Sequence, residues 1–293
     1  MFPDLMILDG GLSNALEDRG LDLSSQLWTA RLLRDAPEEI AAVHRDYFAA
    51  GARVATSASY QASVPSLVSA GMERQEAEGL ITASVAIAQQ ARDEFQAQDA
   101  HPLLVAASVG PYGAVLADGS EYRGRYGLSA AQLREFHLPR LDLLAAAGPD
   151  LFAVETIPDA DEAAVLVALL DEIGLPAWFA YSVEGERTRA GQPLTEAYAV
   201  LADSSAVQAV GLNCSAPDQV LPALRIAAEV TGRPGVAYPN KGEDWDSASG
   251  SWRGTAQDST PLALDWVAAG AQLVGGCCRV GPADIARLAQ LLD

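Results

Sequence analysis

The chain has 293 residues, 49% of them hydrophobic and 20% charged, with a formal net charge of −20. That length suits one α/β barrel, and the acid excess argues against nucleic acid and anionic lipid, both of which draw on clustered Lys and Arg. No apolar run reaches the roughly 20 residues of a membrane span, Met1–Asp4 lacks the basic region of an export signal, and an odd count of 3 cysteines fits a reducing cytoplasm.

Short β-branched apolar runs alternate with longer amphipathic stretches from end to end. Leu5–Asp9 reads as a strand, followed by a loop and a helix over Glu38–Ala50. Arg53–Thr56 pairs with a long helix over Glu73–Gln98, and Leu103–Ser108 with Ala131–Ala147. Leu151–Glu155 and Asp161–Ile173, Ala177–Ser182 and Leu194–Ala202, then Val207–Asn213 and Gln219–Val230 continue the series. Gly235–Tyr238 with Pro261–Ala269 and Gln272–Gly275 with Ala283–Leu292 complete it. Eight β-α pairs predict a single (β/α)8 TIM barrel forming one domain over residues 1–293. An open doubly wound sheet would carry a G-x-G-x-x-G turn after its first strand, and Asp9-Gly10-Gly11-Leu12-Ser13 lacks that spacing. Lys241–Gln257 reads as a long surface loop.

In such a barrel the strand ends open on one face, where the chemistry sits. Asp9, Glu155, Cys214 and the vicinal Cys277-Cys278 all close or follow strands, with Thr56, Ser57, Ser108, Tyr238 and Asn240 beside them. Neighbouring residues of a regular strand face opposite ways, so Gly275-Gly276 is expected to let the backbone turn and aim both sulfurs inward. Three thiolates and one vacancy make a catalytic rather than a structural zinc pattern. Such an electron-rich metal generates hydroxide poorly but suits a substrate thiolate, which points to alkyl transfer to sulfur. Asp9 and Glu155 would anchor an ammonium group, and the Gly10 and Gly11 amides a carboxylate. Blander readings stand beside these: Cys214 as core packing, Asp9 as a loop cap, Glu155 as a core salt bridge. His44, His101 and His137 read as structural.

These residues fall in a recognisable set. Leu8-Asp9-Gly10-Gly11 with Leu16-Glu17, Thr56–Ala62, Ser108–Gly113, Ala117–Gly124, Glu155-Thr156, Gly211–Cys214, Tyr238-Pro239-Asn240 and Gly275–Arg279 span nearly the whole chain. In them the chain resembles the homocysteine S-methyltransferases, most closely the bacterial and plant type using S-methylmethionine or S-adenosylmethionine. The resemblance implies a TIM barrel, zinc on Cys214, Cys277 and Cys278, and homocysteine sulfur as fourth ligand. It also implies that Asp9 and Glu155 contact the homocysteine amino group. Val280-Gly281 departs from it, standing where members often carry two threonines.

The expected reaction is an in-line displacement from a sulfonium donor to homocysteine, giving methionine and needing no general acid. Tyr112, Tyr122 and Tyr126, with Asp118 and Glu121, could surround the sulfonium; Trp245 and Trp252 are weaker candidates, and tyrosines packing on one another in a lid is the plainer reading. Only small-molecule partners are expected, for a monomer or homodimer. Two other functions stay open: a non-catalytic zinc or thiol binder, and a metal-free lyase or hydrolase using Asp9 and Glu155 as acid and base.

Overall fold

The structure is a computed structural model describing residues 4–23, 28–97, 101–246 and 251–292. Eight parallel strands form the barrel wall. They are β1 (Met6–Ile7), β2 (Val54–Thr56), β3 (Leu104–Val109), β4 (Leu151–Ile157), β5 (Ala177–Tyr181), β6 (Val207–Asn213), β7 (Gly235–Tyr238) and β8 (Ala271–Val274). The hydrogen-bonded order runs from β1 through β8, β7, β6, β5, β4 and β3 to β2. A parallel bridge between Leu8 and Val54 returns β2 to β1 and closes the (β/α)8 barrel.

The strands read as continuous apolar runs because both of their faces are covered. Leu151, Ala153, Trp178, Ala180, Ala209, Val236 and Leu273 fill the barrel interior. Phe152, Val154, Phe179, Tyr181 and Val210, the alternate residues, face the helical layer with Leu141, Leu166 and Leu224. Each fully buried Val, Leu or Phe among them contributes roughly 1.5–3 kcal/mol relative to exposure.

The helices begin and end where local chemistry directs. Ser129 and Gln132 form a reciprocal capping box at the start of Ala130–Ala146. Asp159 caps Ala160–Ile173, which ends on Gly174 in the left-handed region. Periodicity did not reveal three helices, Leu12–Asp18, Trp28–Asp35 and Val64–Ser69. The Lys241–Gln257 stretch is not plain loop: Asp244–Asp246 and Ser251–Arg253 pair as an antiparallel hairpin. A second hairpin joins Val183–Glu184 to Arg187–Thr188. No described helix is long and apolar enough to cross a membrane.

Candidate active site and metal centre

At the C-terminal ends of the strands lies a cavity of about 140 Å³ lined by Asp9, Gly10, Gly11, Glu155, Cys214, Cys277 and Cys278, among others. Barrel closure makes this possible, since β1 and β8 are hydrogen-bonded neighbours although the ends of the chain.

Asp9, just beyond β1, is 7% exposed. Its carboxylate accepts hydrogen bonds from Thr56 N at 2.6 Å and Thr56 Oγ1 at 2.9 Å. Burial nevertheless pushes its pKa up to about 7, with a further push from the charge of Glu155. Glu155, in β4, is 9% exposed. Ser108 Oγ donates to its Oε1, and Tyr238 is a second hydrogen-bond partner. Trp178 Nε1 donates to Tyr238 OH at 2.9 Å, which turns the phenol proton toward the carboxylate. Burial again prevails and raises Glu155 to about 7.

Beyond Glu155 the register of β4 against β5 shifts, and Thr156 takes a φ of 60°. Asn213 fixes this bend: its Oδ1 accepts Thr156 N at 2.6 Å and its Nδ2 donates to Thr156 Oγ1 at 2.8 Å. The same Nδ2 lies 3.8 Å from Cys277 Sγ. Asn213 thus couples the bend bearing Glu155 to the cysteines. Its place just before Cys214 was the only signal in the sequence.

Cys214 follows β6 in the left-handed region, with φ 45°. Cys277 N donates to Pro239 O at 2.9 Å, and Cys278 N to Asn240 Oδ1 at 3.2 Å. These bonds hold the β8 loop against the end of β7. The backbone leaves β8 just before Gly275-Gly276 and the sulfurs of Cys277 and Cys278 reach one cluster, as expected, although neither glycine has a positive φ. What they supply is room: a Cβ on Gly275 would come within 2.6 Å of Leu8 Cβ, and one on Gly276 would overlap the Val280 side chain. Gly10 and Gly11 are needed likewise; a Cβ on Gly11 would lie 2.7 Å from Cys277 O. The Gly11 amide donates to Val280 O at 2.9 Å, so it is engaged within the protein.

The three sulfurs all lie within 4.8 Å of one another. Cys214 and Cys277 are joined as a disulfide, while Cys278 is a free thiol 3.8 Å from Cys214 Sγ. Zinc with sulfur ligands at about 2.3 Å sets tetrahedral S···S separations of about 3.8 Å. In their reduced form Cys214, Cys277 and Cys278 therefore fit a zinc ion. Without a cation, burial pushes the Cys278 thiol up to about 12, so its ionisation calls for a positive charge close by.

Other sequence candidates separate. Tyr122 lines the cavity and hydrogen-bonds Cys278. Tyr112 instead packs against Tyr126, tilted, and Phe136, edge to face, at centroid distances of 5.3 and 5.0 Å. Asp118 accepts Ser120 N and pairs with Arg123. Glu121 lines the cavity. The Trp245 and Trp252 side chains lie outside the described residues. His44 and His137 are buried in helices, the latter bonded to Glu162 at 2.8 Å, and His101 precedes β3.

The sequence profile of homocysteine S-methyltransferase matches residues 6–292. Homocysteine S-methyltransferase of Escherichia coli (strain K12) is 43% identical over 292 residues, covering 97% of this chain and 94% of that protein. The metallated form of homocysteine methyltransferase MmuM from Escherichia coli superposes with a TM-score of 0.90 at 41% identity, over 98% of this chain and 96% of that one. Its oxidized form gives a TM-score of 0.89 with the same identity and coverage. Sequence and fold agree along the whole barrel, and on that ground the chain belongs to the homocysteine S-methyltransferase family.

Proposed function

We propose that this chain, as one homocysteine-binding barrel domain over residues 1–293, methylates homocysteine from a sulfonium donor in a zinc-dependent reaction. S-methylmethionine is the donor proposed, with S-adenosylmethionine as a further one. The observation that carries the reading is the cavity's composition: three cysteine sulfurs and three buried carboxylates, Asp9, Glu121 and Glu155, with no Lys, Arg or His among its lining residues. Cys214, Cys277 and Cys278, once reduced, would hold the zinc. Bound there, zinc supplies the charge that keeps a substrate thiol ionised at neutral pH while leaving it nucleophilic.

Asp9 and Glu155 receive the homocysteine ammonium, whose charge favours their ionised form and offsets the burial that raises both. Gly10 and Gly11, which line the cavity beside Asp9, would flank the substrate carboxylate. Held this way, the homocysteine thiolate attacks the donor methyl. A new S–C bond forms as the old one breaks, and its electron pair returns to the departing sulfur as a neutral thioether. The thiol proton passes to solvent as the substrate sulfur ionises, and the displacement itself moves none, in keeping with a cavity wall that offers no histidine. Three reduced thiols also favour a reducing cytoplasm.

The test supplies homocysteine with S-methylmethionine, S-adenosylmethionine or betaine and measures methionine, with zinc assayed on the same preparation. The expected result is methionine from the sulfonium donors, about one equivalent of zinc, and loss of both in Cys277→Ala. Full turnover in Cys277→Ala, or activity that survives complete chelation, would end the proposal.

A further inference from the structure

A third carboxylate in the cavity is not among those assigned to homocysteine. Glu121 sits on the Ser120–Tyr122 turn, is 4% exposed, and shares the cavity wall with Cys278 and Glu155. Its Oε2 is buried and has no hydrogen-bond partner. A buried carboxylate oxygen left in this state is unfavourable until some donor reaches it. The adjacent cation does not: Arg123 Nη2 lies 2.9 Å from Ser120 Oγ and 3.4 Å from Asp118 Oδ2.

Nor is Glu121 free to swing away. Asp118 Oδ1 accepts Ser120 N at 2.9 Å, and Gly119 supplies a φ of 79° for the turn. The preceding turn packs so closely that a Cβ on Gly113 would lie 2.6 Å from Glu121 N. The next residue, Tyr122, hydrogen-bonds Cys278, so Glu121 stands close to the cysteine cluster.

We infer that Glu121 binds the α-ammonium of the methyl donor, its Oε2 taking an N–H that the protein does not provide. The inference rests on the proposed methyl transfer. The orphaned acceptor distinguishes between the donor's two positive centres, because a sulfonium has no hydrogen to give and a primary ammonium has three. Charge leads the same way. The sulfonium loses its charge as the methyl leaves, so a carboxylate against it would favour the starting complex over the transition state. The ammonium keeps its charge throughout, and Glu121 would then contribute binding that is uniform along the reaction.

Steady-state kinetics of zinc-loaded Glu121→Gln against the parent test this. With S-methylmethionine, its KM should rise about 10- to 100-fold while kcat changes less than about threefold and the homocysteine KM less than about twofold. Glu121→Asp, which keeps the charge, should recover most of that affinity. With dimethylsulfoniopropionate, which has the methylsulfonium but no ammonium, parent and Glu121→Gln should match. An unchanged KM for S-methylmethionine, or an equal loss with both donors, would overturn the inference. Calorimetric titration of S-methylmethionine into the two zinc-loaded proteins keeps the question separate from turnover. If the parent methylates from no donor, the proposed function fails. Loss of binding in Glu121→Gln would then still uphold the role of Glu121, and equal affinity would dismiss it.

Discussion

Glu155 shows most directly how burial and charge oppose each other in this cavity. Ser108 and Tyr238 both bond to it, yet desolvation outweighs them and its pKa moves from 4.5 to about 7. The folded protein therefore binds this proton more tightly than the unfolded chain does. The stabilising contribution is complete below about pH 4.5 and is lost as pH rises through about 7. Glu155→Gln does not titrate, so the two ligand-free proteins should have similar stability at about pH 5. The variant should then gain on the parent through pH 7, by at most about 3 kcal/mol at pH 8.5. Urea unfolding at the three pH values measures the difference, and a gap that shrinks with pH would contradict the burial argument. Asp9, raised to about 7 with burial as the largest cause, belongs to the same regime. The sequence marked both carboxylates through their strand-end positions. It placed Thr56, Ser108 and Tyr238 on the same rim but not which carboxylate each one bonds, because they meet across the sheet.

Among the elements, the turn after β8 is held from several sides. Val280 O accepts both the Gly11 amide and Tyr47 OH, the latter at 3.1 Å, so this turn, the β1 loop and the Pro37–Ala49 helix meet at one atom. The Val280 side chain fills the space over Gly276. Gly276→Ala should therefore cost about 1–3 kcal/mol by overpacking, and Gly276→Ala with Val280→Ala should cost less than the sum of the two single changes. Denaturant midpoints of the four proteins close that cycle. Strict additivity would show that the two side chains do not compete for the space. Lys241 ties the β7 loop to the last helix through Asp284, at 2.8 and 2.9 Å. The sequence identified Gly275-Gly276 as the place where the chain leaves the strand and both sulfurs turn to one side, but not the close approach that also requires glycine there. A Cβ clash depends on what lies opposite, and that is another segment's position.

The cysteine cluster belongs to the whole molecule, since Cys214 and Cys277 are 63 residues apart and meet only because β6, β7 and β8 are successive staves. The pairing of Cys214 with Cys277, leaving Cys278 free, predicts what metal removal does in air. A thiol titration of the unfolded chain should fall from three groups in the reduced protein to one after chelation and oxidation, and dithiothreitol should restore three together with zinc uptake. Three thiols persisting after prolonged exposure to air would refute this. By itself the sequence determined the barrel, because eight apolar runs buried on both faces must alternate with amphipathic helices. It also determined which polar residues end those strands, and hence the sulfurs and carboxylates of the site. Tertiary structure alone decided the bend at Thr156 locked by Asn213, the exclusion of Tyr112 from the cavity wall, and the orphaned oxygen of Glu121. These depend on which groups remain unpaired once distant segments meet, and one-dimensional periodicity carries no record of that.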